Sequence, residues 1–454
     1  MKKLSALFMG AAIAVSLFGF VSCKDQSFTD WAESGTLKSL GTDGKHIVNS
    51  DGKYVSLRGT NAGNWLIQEL WMAPTKNTVD LGTGSVHDQT SIMEVLESRF
   101  GEKQMNELLD IYKDNYWTEQ DFANIKAMNM NCIRLPFWWR DLTDADGNWY
   151  GYDETASDPY ETAFKRVDWF VETAGKYGLY VILDFHGVPG SQSGSDHSGV
   201  DGGSTTALKK AASKFWPLNG NDAELAAKNQ ELFYEMWKVI AKRYKTNGTV
   251  AAYDVMNEPF SSYASSSYYS MLWEVYDKAY DAIRSVDKNH IVIFEAVWDA
   301  AALPTPSVYG WENIVYEYHK YTWSDYDNTS GSQTSGMASL ASNVKKHDVP
   351  SYIGEFCLFN SIEAWNKALI NLNSSDISWT NWTYKVTHIN PNGGGSPIVN
   401  GNWGIYTLPE ELDYGIDLEN STYDEIATFW AKTNTANASP NQSLIDALTS
   451  ICAQ

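Results

Sequence analysis

The chain has 454 residues, 43% of them hydrophobic and 20% charged, which excludes a disordered segment and leaves room for one large core. Its formal net charge of -22 opposes phosphate backbones and anionic headgroups, so nucleic acid is excluded as a partner. Besides Cys23, the thiols are Cys132, Cys357 and Cys452; without C-x-x-C spacing they build neither a disulfide framework nor a zinc site. Cys132 and Cys357 fall in or beside expected strands and read as small buried hydrophobes.

Residues 1–22 read as a secretory signal, with Lys2 and Lys3 at its start, an uncharged apolar stretch over 4–20 and a small Ser22 before Cys23. Phe20-Val21-Ser22-Cys23 is similar to a bacterial lipobox, with Phe20 in place of the usual Leu. That resemblance implies lipidation of Cys23 and an exported protein anchored to a bacterial outer membrane, on its periplasmic or cell-surface face. Processing there removes two lysines and takes the net charge from -22 to -24. No other run is long and apolar enough to span a bilayer, so membrane contact is expected only through the lipid.

Residues 23–44 are polar and weakly patterned and read as a tether. Next, 46–48 and 54–57 flank the turn Asn49-Ser50-Asp51-Gly52, which predicts a β-hairpin running into a first barrel strand at 57–61. A long insertion over 75–116 has helical periodicity around 92–100 and 105–111, and Thr118 opens a helix with Asp121 at the capping-box position. Strand patterns then recur at 131–135, 179–184, 250–256, 291–295, 314–318, 351–354 and 377–382. Between them, 161–177, 224–244, 268–286 and 363–372 have apolar spacing near the helical period. With the first strand this makes eight βα-like units, the pattern of a (β/α)8 TIM barrel with an N-terminal hairpin and long βα-loop insertions, as one catalytic domain over 45–454. The Gly- and Ser-rich stretch 186–221 lacks periodicity; it follows a strand and is expected as a structureless loop over the active face.

Two of these strand segments lead directly into a glutamate: Glu258 closes AAYDVMNEP and Glu355 closes VPSYIGEF. Residues at the C-terminal ends of barrel strands are the usual carriers of chemistry. Two carboxyl groups there suit glycoside hydrolysis, which needs a protonated acid at the leaving oxygen and an ionised carboxylate across an oxocarbenium-like centre. A single Glu after a strand is more often a cap or an ion-pair partner; the neighbouring residues favour chemistry.

Those neighbours are Arg134 in NCIRLP, His186 in LDFHG, Asn257 and Glu258 in MNEP, His319 and Tyr321 in EYHKY, Glu355 in IGEF and Trp382 in TNWTYK. In type, order and placement at strand ends they match the eight functional positions of glycoside hydrolase family 5, in the clan of retaining (β/α)8 glycosidases, which the chain resembles over 57–406. The resemblance implies Glu258 as acid/base and Glu355 as nucleophile, kept ionised by Arg134 and Tyr321. It implies Asn257 on the sugar 2-OH, His186 and His319 on substrate hydroxyls or orienting the carboxylates, and Trp382 on the sugar's apolar face. No metal and no organic cofactor is implied.

Two further segments, RGTNAGNWLIQELW and LDFHGVPGSQSGSDHSG, are similar to "NLGGWL..EP" and "LHGAPGSQNG.DNSG" of fungal exo-β-1,3-glucanases in the same family. By that match Glu69 binds the terminal sugar. Asn64 replaces a Gly, Leu70 a Pro and Phe356 a Trp, which bears on the pocket wall. The expected activity is therefore retaining hydrolysis of β-linked oligo- or polysaccharide, with exo-β-1,3-glucan first, by a monomer. Alternatives within the family are endo-β-1,4-glucanase, mannanase, β-1,6-glucanase or β-glucosidase; a glycan-binding lipoprotein that has lost catalysis is disfavoured because both glutamates are present. Trp65, Trp138, Trp139, Trp216, Trp298 and Trp403 fall near expected active-face loops, and about half should line subsites, with Trp65, Trp138 and Trp298 taken as substrate-binding. Asp184 and Glu295 read as structural acceptors, and the His186, Asp196, His197 group matches no familiar metal spacing.

Overall fold

Eight parallel strands close into a barrel in the computed structural model, which describes residues 37–218, 220–387 and 403–453. The signal segment 1–22, Cys23 and the tether up to residue 36 lie outside the described residues. The barrel strands are β3 (Arg58–Asn61), β4 (Cys132–Trp138), β5 (Tyr180–Gly187), β6 (Val250–Asp254), β7 (Ile291–Glu295), β8 (Ile314–Lys320), β9 (Ser351–Phe356) and β10 (Ser378–Asn381), and β10 pairs back onto β3. All eight fall on the strand segments expected from sequence. Their runs are buried on both faces, as strands between a filled barrel and an outer helical ring must be.

The outer layer contains α1 (Gln89–Tyr116) and α2 (Glu119–Ala127) before β4, α3 (Glu161–Lys176) after it, α4 (Thr206–Ala212) and α5 (Ala223–Tyr244) after β5, and α6 (Tyr269–Arg284) after β6. Then come α7 (Ser332–Asn343), α8 (Ile362–Ser374), α9 (Tyr423–Trp430) and α10 (Gln442–Cys452). Gly101, at φ 79°, breaks α1 between the two periodic segments read from sequence. Asp121 accepts from the Thr118 N–H and hydroxyl, the cap expected for α2. Between β7 and β8 two 3-10 turns, Ala300–Ala302 and Pro306–Val308, replace a helix; Trp311 fills that place, 4.4 Å from the Phe294 ring.

Two expectations are corrected. Leu40–Asp43 belongs to no tether: it forms β1 and pairs antiparallel with β2 (His46–Asn49), while the expected partner segment contributes one bridge, Val48 to Tyr54. Leu40 and Ile47 pack on the barrel's lower interior, and that burial orders the segment. The stretch 186–221 is not structureless, since it carries α4, whose first turn is capped by Thr205.

Strand alternation divides the barrel interior into layers. Cys132, Tyr180, Ile182, Ala252, Ile291, Ile293, Val315 and Tyr352 join Leu40, Ile47 and Leu57 in an apolar lower layer. Two residues further along the same strands stand Arg134, Asp184, Asp254, Glu295 and Glu317, all fully buried. Apolar packing therefore sets the register that stacks charge beneath the barrel mouth. Gly354 makes room for it, because a Cβ there would meet Glu317 Oε1 at 1.4 Å. Gly354→Ala is expected to cost about 1–3 kcal/mol through overpacking; an unchanged urea midpoint would contradict this reading of the interior.

Candidate active site

The loops after the strands surround a cavity of about 370 Å³ at the C-terminal mouth of the barrel, lined by Glu69, His186, Asn257, Glu258, Tyr321, Glu355 and Trp382 among others. Arg134 lies beneath it with no exposed surface. Its guanidinium donates to Asp254 at 2.8 Å, Glu355 Oε1 at 2.8 Å and Asn257 Oδ1 at 2.9 Å, and stands 3.1 Å from Asp184 and 3.4 Å from Glu317. Burial opposes its charge, and these carboxylates more than offset that cost.

One guanidinium cannot neutralise so many carboxylates, and protons are retained. Burial and the Asp254 charge hold Glu317 well above the usual carboxylate range, and burial pushes Asp254 up to about 6 against the pull of Arg134. A Glu317 to Asp254 hydrogen bond favours a proton on Glu317. Burial disfavours a charged His186, yet Asp184, 2.6 Å from Nδ1, pushes that imidazole up to about 10. A second cation therefore stands beside the mouth.

The two glutamates differ in support. Glu355 Oε1 accepts from Arg134 and Oε2 from Tyr321 Oη at 2.8 Å. Burial raises its carboxyl to about 7, with Arg134 restraining the rise. Glu258 has no guanidinium partner. Burial, then the charges of Glu355 and Glu69, hold it well above the usual range. Its backbone sits at φ 42°, strained for a residue with a Cβ, and Glu295 accepts its N–H. Gln192 donates to the Asn257 and His186 carbonyls, tying the two loops together.

His319 links the pair. Its Nδ1 is 2.8 Å from Glu258 Oε1 and 3.4 Å from Glu355 Oε2, so these oxygens are at most the sum of the two apart, about 6.2 Å. Burial and the nearby Arg134 charge keep His319 well below its ordinary pKa, hence neutral. Trp382 stacks parallel to the His186 ring at 5.5 Å and faces the cavity. At the far end, Trp71 Nε1 donates to Glu69 Oε2 at 2.7 Å. Asn64, at φ 64°, accepts the Glu69 N–H at 2.7 Å; this left-handed position tolerates Asn as it would Gly.

Fourteen of the residues singled out from sequence gather here: Arg134, His186, Asn257, Glu258, His319, Tyr321, Glu355, Trp382, Glu69, Trp298, Asp196, His197, and Asp184 and Glu295 as acceptors beneath. Trp65 and Trp138 do not line the cavity. Trp65 is buried against Trp117 and Phe170, its Nε1 donating to the Lys113 carbonyl, and Trp138 is buried under Gly187 and Gly199. Both are large apolar rings with a core to fill, and their strand-end placement alone suggested a subsite. Trp216 is buried too, and Trp403 stacks behind Trp71 at 5.2 Å. Sequence reasoning missed Trp71 and Trp323, which line the cavity and lie two residues beyond Glu69 and Tyr321. The signal was their i+2 spacing. It also missed Ser195, Lys209, Ser261 and Ser262 on the rim, where only the fold of the loops brings them together.

Removing Arg134 would leave buried carboxylates without a counter-charge, so Arg134→Met is expected to lose about 3–5 kcal/mol of stability. A denaturation midpoint equal to the wild type's would refute this account of the charge layer.

The family model described as Cellulase (glycosyl hydrolase family 5) matches residues 95–387. A beta-xylosidase of Phanerodontia chrysosporium is 28% identical over 288 residues, 62% of this chain and 52% of the relative. A glucan 1,3-beta-glucosidase of Lachancea kluyveri is 27% identical over 282 residues, 58% of this chain and 56% of the relative. The chain thus spans little over half the length of these curated relatives. The crystal structure of rutinosidase from Aspergillus niger superposes with a TM-score of 0.54 at 16% identity, covering 73% of this chain and 90% of that one, a likeness of fold.

Proposed function

This chain belongs to glycosyl hydrolase family 5, and on that footing we propose that it is a retaining β-glycosidase of β-glucans, foremost an exo-acting β-1,3-glucanase. The observation that carries the proposal is the pair of carboxyl groups on His319 Nδ1, one braced by Arg134 and Tyr321, the other held protonated by burial. Their oxygens, no more than about 6.2 Å apart, suit a retaining pair better than the roughly 6.5–9.5 Å of inverting enzymes.

In the first half-reaction Glu355 attacks the anomeric carbon while Glu258 gives its proton to the departing glycosidic oxygen, leaving a glycosyl ester on Glu355. In the second, ionised Glu258 takes a proton from water, the hydroxyl attacks the same carbon, and the ester bond to Glu355 breaks with configuration retained. Asn257, its Oδ1 fixed by Arg134, presents its amide to the sugar 2-OH. Trp382 offers an apolar face, and Glu69 on the same cavity wall accepts hydroxyls. Tyr321 donates to the nucleophile before attack and is free to follow the ring oxygen's charge afterwards.

Two features support terminal action: the small volume of the cavity, about 370 Å³, and a relative named as a glucan 1,3-beta-glucosidase. The relative named as a beta-xylosidase supports a second reading, a pocket selecting one terminal sugar of another kind. Laminarin, mixed-linkage glucan, pustulan and aryl xylosides distinguish them. Glucose released alone from laminarin is expected, whereas a ladder of oligomers would overturn exo action.

Glu355→Ala should abolish turnover with folding intact, and azide should restore it with a product of inverted configuration. Full activity in that variant would remove Glu355 as nucleophile. Since Glu355 works ionised, kcat/KM should fall as pH drops through about 7, and should fall again at alkaline pH as Glu258 loses its raised proton. A rate flat across both limbs would overturn the assignments.

Export and lipid anchoring through Cys23 complete the proposal, resting on the 1–23 sequence. Labelled palmitate should enter the wild type in a bacterial host and be lost in Cys23→Ser; equal labelling would refute it.

A further inference from the structure

Glu258 has a second imidazole beside it. His197 lies on the loop after β5, and its Nε2 is 3.5 Å from Glu258 Oε2, on the carboxyl face opposite the oxygen that meets His319. The same nitrogen is 2.9 Å from Ser193 Oγ and 3.3 Å from Ser261 Oγ. Three oxygens therefore compete for one ring nitrogen, and two belong to hydroxyl groups that can turn. The loop reads Asp196-His197-Ser198-Gly199 where the fungal segment it resembles reads DNSG, so the imidazole is this chain's own. The backbone holds the ring in place: the His197 N–H donates to Asp196 Oδ1, and Ser198 Oγ ties to Ser191, Ser193 and the Ser195 carbonyl.

We propose that His197 is a positioning residue for the acid/base, donating an Nε2–H hydrogen bond to Glu258 Oε2 when that carboxyl loses its proton to the leaving group. No proton is transferred to the ring; the bond shifts from Ser193 Oγ to Oε2 as Glu258 becomes ionised and shifts back when Glu258 recovers a proton from water. The groups facing His197 are Glu258, Glu69, Asp196, His186 and Lys209. Burial first, then the His186 and Lys209 charges, hold the ring well below its ordinary pKa, which keeps it neutral. A neutral donor favours the ionised acid without competing for its proton. This inference rests on the glycosidase reading.

The test compares phenyl and dinitrophenyl β-glucosides, whose leaving groups do and do not need a proton. His197→Asn should lose about tenfold in kcat/KM on the phenyl glucoside, a part of what general acid catalysis supplies, with little change on the dinitrophenyl glucoside. Its alkaline limb should move to higher pH, because the ionised acid has lost a donor. His197→Gln, whose amide nitrogen reaches the place of Nε2, should recover most of the loss. Equal losses on both substrates, or no loss in an active enzyme, would overturn the proposal. Wild-type silence on both would count against the glycosidase reading instead, and the contact is then read without turnover. The 15N shift of His197 Nε2 should respond to Glu258→Gln, and an unchanged shift would overturn the proposal.

Discussion

A single buried guanidinium organises this protein. Arg134 points up from β4 into a ring of carboxylates contributed by β5, β6, β8 and β9, and it also fixes Asn257. Burying one charge among several opposite ones would be prohibitive if all stayed ionised. The interior resolves this by keeping protons on Glu317 and Glu295, where burial and neighbouring carboxylate charge outweigh the pull of the cation. The mouth of the barrel is built on that compromise.

The compromise separates the two glutamates. Glu355 touches the guanidinium and Glu258 does not; both are buried, and Glu258 also meets the charge of Glu355. Burial raises both; the cation touches Glu355 and restrains Glu258 only from a distance. Two identical side chains thus hold their protons with different strength through position alone, the general way one fold sustains acid and base chemistry near neutrality. His319, neutral and buried between them, spaces the pair without adding charge.

Above this layer the loops decide what can enter. Trp71, Trp298 and Trp323 line the rim, with Trp298 and Trp323 about half exposed, while Trp403 backs Trp71 from within. Such rings offer sugar faces a flat apolar surface, and the carboxylates behind them offer hydroxyls an acceptor. β5 carries His186 and the loop after it contributes His197, the two tied down by Gln192 and by a chain of serine hydroxyls. Its Gly and Ser content, which read as structureless, instead permits the tight turns at Gly190, Gly194 and Gly199 that pack against Asn229 of α5, Lys209 of α4 and Trp138 respectively.

The sequence by itself determined the barrel, because strands buried on both faces and amphipathic helices alternate with periods that local chemistry imposes. It also determined Glu258, Glu355, Arg134 and their neighbours, since residues at strand ends are gathered whatever the details of the loops. It could not separate Trp298 from Trp65 and Trp138, because an aromatic near a strand end serves core or cavity equally well, and only the packing of α1 and α3 fills one and leaves the other open. It ranked the acidity of the two glutamates only through a resemblance, without the physical cause. That depends on which carboxylates share one guanidinium across β4, β5, β6, β8 and β9, and on how far each lies from water, distances that exist only once the barrel has closed.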